Sequence, residues 1–520
     1  MQRKPLILVS LLLAAFVINL DTTIVNVALP SVVRQLHASN AQLQWVVDAF
    51  NLLFAASVLA FGSLSDRFGR KGMLLAGLSV FGVASLAGGL MGSPGQLIVA
   101  RAVMGAGAAM VFPSTLSMLT NVFTERSERA RAIGLWGAIT GAAIALGPIV
   151  GGWLLQAFDW RSIFFAMAPI AAVAGLMTAR YVPTSRDADA PRTDRMGFAL
   201  SIATIALLVY TIIEAPTYGW GSVRTLGGFA LTAVLMAAFV AWERRTDEPM
   251  LDVDLFRNPR FTAASGSVAI SFFALSGFIF LVTQYFQFLK GYAPLSTGVR
   301  LLPVASLVAI SSILGTKLAV RFGTKLVVAS GLLLMAGFFL WVTSASVATG
   351  YGTIAAQMVV LGTGMGLTSA PATEAIMGVV PKAKAGVGSA VNDTTRLLGG
   401  TLGVAVIGSV YASLYASGLA RALPAGLPAT LTRTAHGSLG AALTVSDRLA
   451  RAGHTELATI VHNAASAAFF HGFHTADVVA AGVAAAGALM ALVLLPAHPT
   501  PSRTSERPAI ASASPAVTSN

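Results

Sequence analysis

The sequence predicts an all-α integral membrane protein with two six-helix halves and two inserted helices, fourteen transmembrane spans in all. Its 520 residues are 55% hydrophobic and only 11% charged, and the mean hydropathy is +0.76. Apolar runs of about 20 residues, each long enough to cross a bilayer, recur along the chain. Short polar turns rich in Lys and Arg separate many of these runs. A soluble fold of this size has no need of so apolar a composition.

The apolar runs define the expected spans in order. They cover residues 6–29, 43–64, 73–92, 96–119, 132–155, 161–182, 197–215, 225–242, 261–289, 296–319, 325–345, 353–379, 387–415 and 474–496. The first run follows Arg3 and Lys4, as the apolar part of a secretory signal peptide would. It is too long for a signal peptide and lacks a small-x-small cleavage site, so we expect an uncleaved first span.

The formal net charge of +13 is distributed as in a multispan membrane protein. With the N-terminus placed in the cytoplasm, most of the 34 Lys and Arg residues fall in cytoplasmic loops, as the positive-inside rule requires. We therefore expect a multi-pass protein of the cell membrane with both termini cytoplasmic. Lipid headgroups, and not nucleic acid, are the expected partners of its charge. The absence of cysteine excludes disulfides, thiol chemistry and cysteine-based metal sites, and no metal site is expected.

A faint internal repeat divides the chain. RFGRK at 67–71 recurs as RFGTK at 321–325, again between two apolar runs. Repeats of this kind usually place a substrate site at their interface near the midplane of the membrane. The expected parts are an N-terminal half at 6–182, linkers with spans 7 and 8 at 183–260, a C-terminal half at 261–496 that includes an outer loop at 416–473, and a disordered cytoplasmic tail at 497–520.

The string GSLSDRFGRK at 62–71, between spans 2 and 3, is the most specific motif of the chain. Gly62 would let two helices approach closely. Asp66 would accept hydrogen bonds from the free backbone N–H groups that begin the next helix. The basic residues would hold the turn on the cytoplasmic side. We call this segment the gate loop, and its key residues are Gly62, Asp66, Arg67, Gly69, Arg70 and Lys71.

We single out four acidic residues inside the spans, where each costs about 2.5–3.5 kcal/mol unless it faces protein or water. They are Asp21, Asp48, Glu374 and Asp393. Only Arg101 and Arg396 lie deep enough to pair with them, so at least two acids lack a counter-ion. A carboxyl group without a counter-ion in a low-dielectric medium can hold a proton and release it when water or a cation arrives. The alternative is a neutral or ion-paired acid that locks helices together.

Asp21 is the predicted proton carrier, because no basic residue lies elsewhere in its span. Span 4 carries Arg101, which as a permanent cation would either act on a neighbouring acid or hold a loop carbonyl. In span 5, GAAIALGPIVGGW at 141–153 contains a helix break followed by small residues, a bend that could seal or flex. The residues of this motif are Gly147, Pro148, Gly151 and Gly152.

Span 2 presents the predicted substrate face. Helical spacing places Trp45, Asp48 and Asn51 together, and an indole beside a carboxylate suits a lipophilic cation. Trp45 could equally be an anchor at the membrane interface. On span 1, a polar stripe faces roughly away from Asp21, and the sequence does not say which of the two sides lines the cavity. Further expected aromatic lining residues are Phe50, Phe54, Phe272, Phe273, Phe278 and Tyr285.

These motifs together resemble the fourteen-span drug:proton antiporter branch of the major facilitator superfamily. LDTTIVNVALP at 20–30 is similar to its first-span signature, Arg101 to its fourth-span arginine and GPIVGG at 147–152 to its antiporter motif. Residues 374–409 resemble the corresponding region of the quaternary-ammonium exporters. One departure is the lack of an acid in LLPVASLVAI at 301–310, which puts recognition of divalent cations in doubt.

The resemblance implies an antiporter that exports lipophilic, cationic drugs. It would act as a monomer on small-molecule substrates, with the proton motive force in place of any cofactor. An exporter dedicated to one metabolite or antibiotic is the close alternative. A membrane-embedded enzyme would need intramembrane His, Cys or a paired-acid motif, and no such motif is present, so we do not expect an enzyme. A channel would not need the two-half repeat with its gate loops.

Overall fold

The computed structural model describes residues 4–186, 194–380, 385–424 and 427–496. Within these residues all regular secondary structure is helical, and fourteen helical segments are long and apolar enough to cross a membrane, which confirms the predicted fold class and number of spans. Spans 1 to 14 are Lys4–Leu36, Asn40–Phe68, Arg70–Leu90, Pro94–Val122, Arg126–Ala157, Arg161–Tyr181, Arg195–Tyr218, Val223–Glu243, Pro259–Leu289, Pro294–Phe322, Thr324–Val342, Tyr351–Val379, Ala385–Ala422 and Thr455–Leu494.

The helix ends follow from local sequence. Span 2 begins with a capping box, in which the Ser39 side chain accepts from the Gln42 backbone N–H and the Gln42 side chain accepts from the Ser39 backbone N–H. The two copies of the RFG repeat end their helices in the same way. Gly69 and Gly323 have φ values of 119° and 88°, a region that favours glycine. The two copies of the repeat therefore share a backbone conformation as well as a sequence.

Spans 1–6 and spans 9–14 form the two halves. Span 4 packs on spans 1, 2 and 3, and span 12 packs on spans 9, 10 and 11. The inserted spans 7 and 8 pack on each other, and span 7 also contacts span 2 of the first half and span 13 of the second. The insert therefore lies along a seam where the two halves meet.

The halves are held together at one side of the membrane. We call the side that carries the gate loop the gate-loop face and the other side the opposite face. Gln44 donates to the carbonyl oxygens of Val404 and Ala405 at 3.3 and 3.4 Å, and Gln287 donates to that of Val27 at 2.8 Å. These hydrogen bonds between the halves lie toward the opposite face, so the seam is closed there.

The stretch 416–473, expected from the sequence to be an outer loop with short helices around 439–468, is helical over most of its length. Span 13 continues to Ala422, short helices cover Ala429–Gly437 and Leu439–Arg451, and the helix of span 14 begins at Thr455. Alanine has the highest helix propensity and is abundant here, so helices persist beyond the apolar segments. The predicted tail 497–520 and residues 187–193, in the linker between spans 6 and 7, lie outside the described residues.

Candidate functional site

Arg101 links three spans of the N-terminal half. Its side chain is 1% exposed. Its Nε donates to the Val46 carbonyl at 3.0 Å, its Nη1 donates to Asp21 at 2.5 Å, and its guanidinium lies 4.4 Å from the ring centroid of Phe50. A lysine could not make these directed contacts at once. The two roles considered from the sequence, acting on an acid and holding a carbonyl, are therefore both present.

Asp21 has a counter-ion on another span of the N-terminal half. Asp21 is 1% exposed and forms an ion pair with Arg101 on span 4. Arg101 is one of the two cations that the sequence placed deep enough to pair with an acid, and no basic residue of span 1 itself is involved. The assignment of Asp21 as the proton carrier remains a prediction, but on a different basis: protonation of Asp21 would break the ion pair between spans 1 and 4.

Asp48 is a fully buried acid for which neither carboxylate oxygen has a partner among the described residues. A buried, unpaired carboxylate is costly, so Asp48 needs a proton or an external cation. Gln44, one helical turn away on span 2, leaves its own Oε1 without a partner as well. Asp48 and Gln44 together mark a place on span 2 where buried side-chain oxygens have no hydrogen-bond partner among the described residues.

Trp45 contacts the inserted span 7. Its indole N–H donates to Glu214 of span 7 at 3.4 Å, and its ring lies 6.3 Å from that of Tyr210. Asn51 is half-buried. The substrate face of Trp45, Asp48 and Asn51 stays a prediction, in which the indole contacts span 7 and the carboxylate is fully buried.

Several predicted cavity-lining aromatics belong to the core instead. Phe54 is 2% exposed and packs against the rings of Phe50 and Phe112, and Tyr285 is also 2% exposed. The Tyr285 hydroxyl donates to the Ser346 carbonyl at 2.7 Å. Helical spacing cannot distinguish a ring that packs on a neighbouring helix from one that lines a cavity.

The rings predicted on span 9 also differ in exposure. Phe273 is 8% exposed and Phe278 packs against Phe338. Phe272 is more accessible and lies beneath the guanidinium of Arg396 at 4.6 Å. Phe272 is thus the span 9 ring that remains a candidate for contact with a substrate.

The acids of the C-terminal half differ from each other. Asp393 pairs with Arg396 at 3.5 Å, one turn along span 13. Glu374 on span 12 is exposed and forms no ion pair with a described residue. Thr373, next to Glu374, donates to Asn392, next to Asp393, at 3.1 Å, so the two acidic segments are in contact. Asp48 and Glu374 are accordingly the two acids without counter-ions, in line with the number expected.

The gate loop is tied to the end of span 6. Asp66 accepts from Arg70 Nε at 2.6 Å, while the Arg70 backbone N–H donates to the Ser185 carbonyl at 2.9 Å. The expected bonds from backbone N–H groups to Asp66 are therefore wrong, since Ser185 takes that donor. Lys71 donates to the Ala179 carbonyl at 2.8 Å, and Arg67 is exposed.

Gly62 does not bring two helices into close approach. A Cβ built there would lie 3.6 Å from Pro113, which is ordinary van der Waals contact. In the second half, Gly315 stands one position before the residue that aligns with Gly62, and a Cβ there would come within 3.0 Å of Leu367 Cα. The tight helix contact near this point of the repeat is thus made in the C-terminal half.

The span 5 motif packs on both halves. A Cβ on Gly151 would come within 2.7 Å of Ile24 on span 1, and one on Gly152 within 2.5 Å of Leu295 on span 10. Pro148 cannot donate to the Ile144 carbonyl, and Thr23 of span 1 donates to that oxygen instead, at 3.0 Å. Gly147 faces Thr23 at the same place. The small residues therefore allow span 5 to lie between span 1 and the C-terminal half.

Two further acids were missed from the sequence. Asp477 on span 14 is 1% exposed, and its Oδ2 has no partner among the described residues. Asp477 lies near the predicted start of span 14 at residue 474, whereas the helix itself begins at Thr455. Glu214, near the end of span 7, faces Trp45. Both lie inside the predicted spans 197–215 and 474–496, so a complete count of the acids within the apolar windows would have found them.

The sequence matches the Major Facilitator Superfamily over residues 11–404. It is 38% identical over 417 residues to the multidrug resistance protein Stp of Mycobacterium tuberculosis, across 79% of this chain and 76% of that protein. It is 35% identical over 478 residues to the multidrug efflux pump LfrA of Mycolicibacterium smegmatis, across 92% and 94%. A solved bacterial homologue of the human lysosomal transporter Spinster, inward-facing and occupied, has the same fold, with a TM-score of 0.67 at 15% identity over 95% and 98% of the chains.

Two six-helix halves that meet along a seam, together with these matches, define a transporter and not an enzyme. The chain belongs to the major facilitator superfamily. Its membership confirms the resemblance drawn from the gate loop, Arg101 and the span 5 motif. It is a multi-pass membrane protein, with fourteen spans where the two inserted helices are counted.

Proposed function

We propose that this transporter exports lipophilic, cationic drugs across the plasma membrane in exchange for protons. The observation that carries the proposal is the pair of buried acids in the N-terminal half. Asp21 is neutralised by Arg101, whereas Asp48 is fully buried with no partner among the described residues. An acid that the protein leaves unpaired inside a membrane is a site for a proton or a substrate cation.

The gate-loop face is the cytoplasmic side in this proposal. Arg67, Arg70 and Lys71 on the gate loop, and Arg321 and Lys325 on its repeat, supply the positive charge that marks cytoplasmic loops. The seam between the halves is closed at the opposite face by Gln44 and Gln287. A drug would therefore enter the interior from the cytoplasm in the arrangement observed, as export requires. Both termini lie in the cytoplasm.

The proton exchange works through competition at the acids. A cation that reaches Asp48 replaces the proton that otherwise neutralises it, since a buried carboxylate needs one or the other. On the outside, release of the cation allows a proton to return. Protonation of Asp21 removes the charge that Arg101 holds and weakens the contact of span 1 with span 4. That change couples proton binding to movement of helices.

The driving force is sufficient without ATP. One proton that moves inward through 100 mV gains about 2.3 kcal/mol. Each unit of pH difference adds about 1.4 kcal/mol. Together these sustain a gradient of about several hundred-fold for a neutral compound. The protein would act as a monomer, because both halves of the seam are in one chain.

The test is substrate-dependent proton flux in proteoliposomes that contain the purified full chain. We expect an imposed pH gradient to drive accumulation of lipophilic cations, with stoichiometric proton movement in the other direction. A panel of cationic and neutral compounds would define the range. Accumulation of a single compound would favour an exporter dedicated to that compound. Transport that does not depend on the pH gradient would contradict the proposal.

A further inference from the structure

Four side chains form a partial enclosure where spans 2 and 7 meet at the opposite face. We call Trp45, Tyr210, Glu214 and Tyr218 the aromatic cage. Tyr210, Glu214 and Tyr218 follow each other at intervals of four residues on span 7, so they lie along one side of the helix. Trp45 closes the enclosure from span 2, with its ring 6.3 Å from Tyr210 and its N–H on Glu214.

The aromatic cage already holds a cation from the protein itself. The guanidinium of Arg224, at the start of span 8, lies 3.7 Å from the ring centroid of Tyr218. It also donates to the Tyr210 hydroxyl at 2.6 Å. Aromatic faces attract a cation in this geometry. The rings are therefore arranged so that a positive group fits against them.

The negative charge of the cage is not neutralised by this arginine. Glu214 is half-buried and accepts from Trp45 only, and no described basic residue forms an ion pair with it. Arg224 is exposed, as are Tyr210 and Tyr218 in part. An external cation can thus reach the rings by displacing Arg224, and it would find in Glu214 a carboxylate that the protein leaves without a positive partner.

The position of the cage relates it to the seam between the halves. The Trp220 indole, in the turn between spans 7 and 8, donates to Ser413 of span 13 at 3.0 Å. Trp45 belongs to span 2, which meets span 13 through Gln44. The turn of the inserted pair therefore touches both halves beside the contact that closes the opposite face. A compound that leaves between spans 2 and 13 emerges next to the cage.

We propose that the aromatic cage is a second binding site, on the exit side, for lipophilic organic cations, and that Arg224 competes with them for it. The ligand class is a bulky cation whose charge is shielded by aromatic or alkyl groups, such as a phosphonium or quaternary ammonium ion. The site deepens the proposed export function by giving the inserted spans a role. Its existence does not depend on proton coupling, because it is defined by binding alone.

The test is equilibrium dialysis of labelled tetraphenylphosphonium against the full chain in lipid nanodiscs. We expect two sites per wild-type chain. Glu214→Gln should weaken the cage site about tenfold, because it removes the charge while it keeps the acceptor oxygen for Trp45. Arg224→Ala should strengthen the same site about tenfold, because it removes the competing cation. A purely structural residue would not raise affinity when it is truncated.

Matched controls separate the cage from general effects. Glu456→Gln removes an exposed carboxylate on the first turn of span 14, far along the chain from the cage, and should leave both sites unchanged. Triphenylphosphine oxide, which is neutral but has the same rings, should respond little to Glu214→Gln. Equal affinities for the wild type, Glu214→Gln and Arg224→Ala would overturn the proposal, and would leave the cage rings as interfacial anchors.

Failure of the cage proposal can be distinguished from failure of the proposed export function. Proteoliposomes without any proton-driven accumulation would contradict the antiport mechanism, yet a second site that responds to Arg224→Ala would still establish the cage. Conversely, normal antiport with a single binding site would reject the cage and leave the export function standing.

Discussion

Asp21 on span 1 and Arg101 on span 4 form an ion pair with an N–O distance of 2.5 Å and almost no exposure to solvent. The same guanidinium donates to the Val46 carbonyl on span 2. Three helices of the N-terminal half are thus joined through one side chain. Because the acid of the pair can be protonated and the arginine cannot lose its proton, the pair is a natural switch between two packings of these helices.

Arg101→Lys should destabilise the protein, since an ammonium group cannot donate to both Asp21 and the Val46 carbonyl in the observed directions. We expect a loss of about 1–3 kcal/mol from the buried acceptor left unpaired. The measurement is the thermal unfolding midpoint in detergent. Arg67→Lys, on the exposed end of the gate loop, is the matched control and should unfold as the wild type does.

Asp48→Asn should leave the fold intact, because the carboxylate has no described partner to lose. Export of cations should fall much more than export of neutral compounds, since the charge that neutralises the cation is gone. The comparison is efflux of a cationic and a neutral substrate by the same variant. Equal losses for both substrates would move Asp48 to a proton-coupling or structural role.

Asp66→Asn should abolish transport while insertion into the membrane stays normal. The change weakens the ion pair with Arg70, whose backbone is bonded to Ser185 after span 6, so the gate loop loses its charged contact. Efflux and membrane abundance are measured together. Glu456→Gln, which neutralises an exposed carboxylate far along the chain from the gate loop, is the control and should transport at a near-normal rate. Full activity of Asp66→Asn would mean that the loop serves topology alone.

Gly152→Ala should hinder closure of the opposite face. The added methyl would come within 2.5 Å of Leu295 in the other half. The chain has no cysteine, so one introduced at Ser409, a buried residue near Gln44, reports the opening of the seam. We expect faster labelling by a membrane-impermeant maleimide from outside. Gly141→Ala on the same span, where a Cβ meets nothing within 4 Å, should label at the parent rate.

The sequence predicted what depends on local pattern. Apolar length located the fourteen spans, and the glycine of the RFG repeat marked the same turn in both halves. Pairings between distant spans were not predictable, because they depend on how helices pack. Asp21 forms an ion pair with Arg101, and the Ser185 carbonyl accepts from the backbone N–H that was expected to bond to Asp66. The Trp45 indole N–H donates to Glu214. Helical spacing likewise placed the ring of Phe54 correctly on span 2 but could not say that a neighbouring helix covers it.

The boundaries at the end of the chain were missed for a compositional reason. The segment from 416 to 473 is rich in Ala, Ser and Gly, so it is not apolar enough to read as a span. Its alanines nevertheless favour helix, and the helix that carries Asp477 begins at Thr455. Hydropathy reports where a bilayer can be crossed and not where a helix starts.

The most direct test of proton-coupled export is parallel measurement of proton and drug flux in proteoliposomes that contain Asp21→Asn. The amide cannot take up or release a proton, but it retains an oxygen that can accept from Arg101. We expect the wild type to accumulate a lipophilic cation against its gradient with opposite proton movement, and Asp21→Asn to allow downhill exchange only. Asp21→Glu, which keeps a titrating group, should retain part of the coupling. Accumulation by Asp21→Asn that still depends on pH would contradict the account.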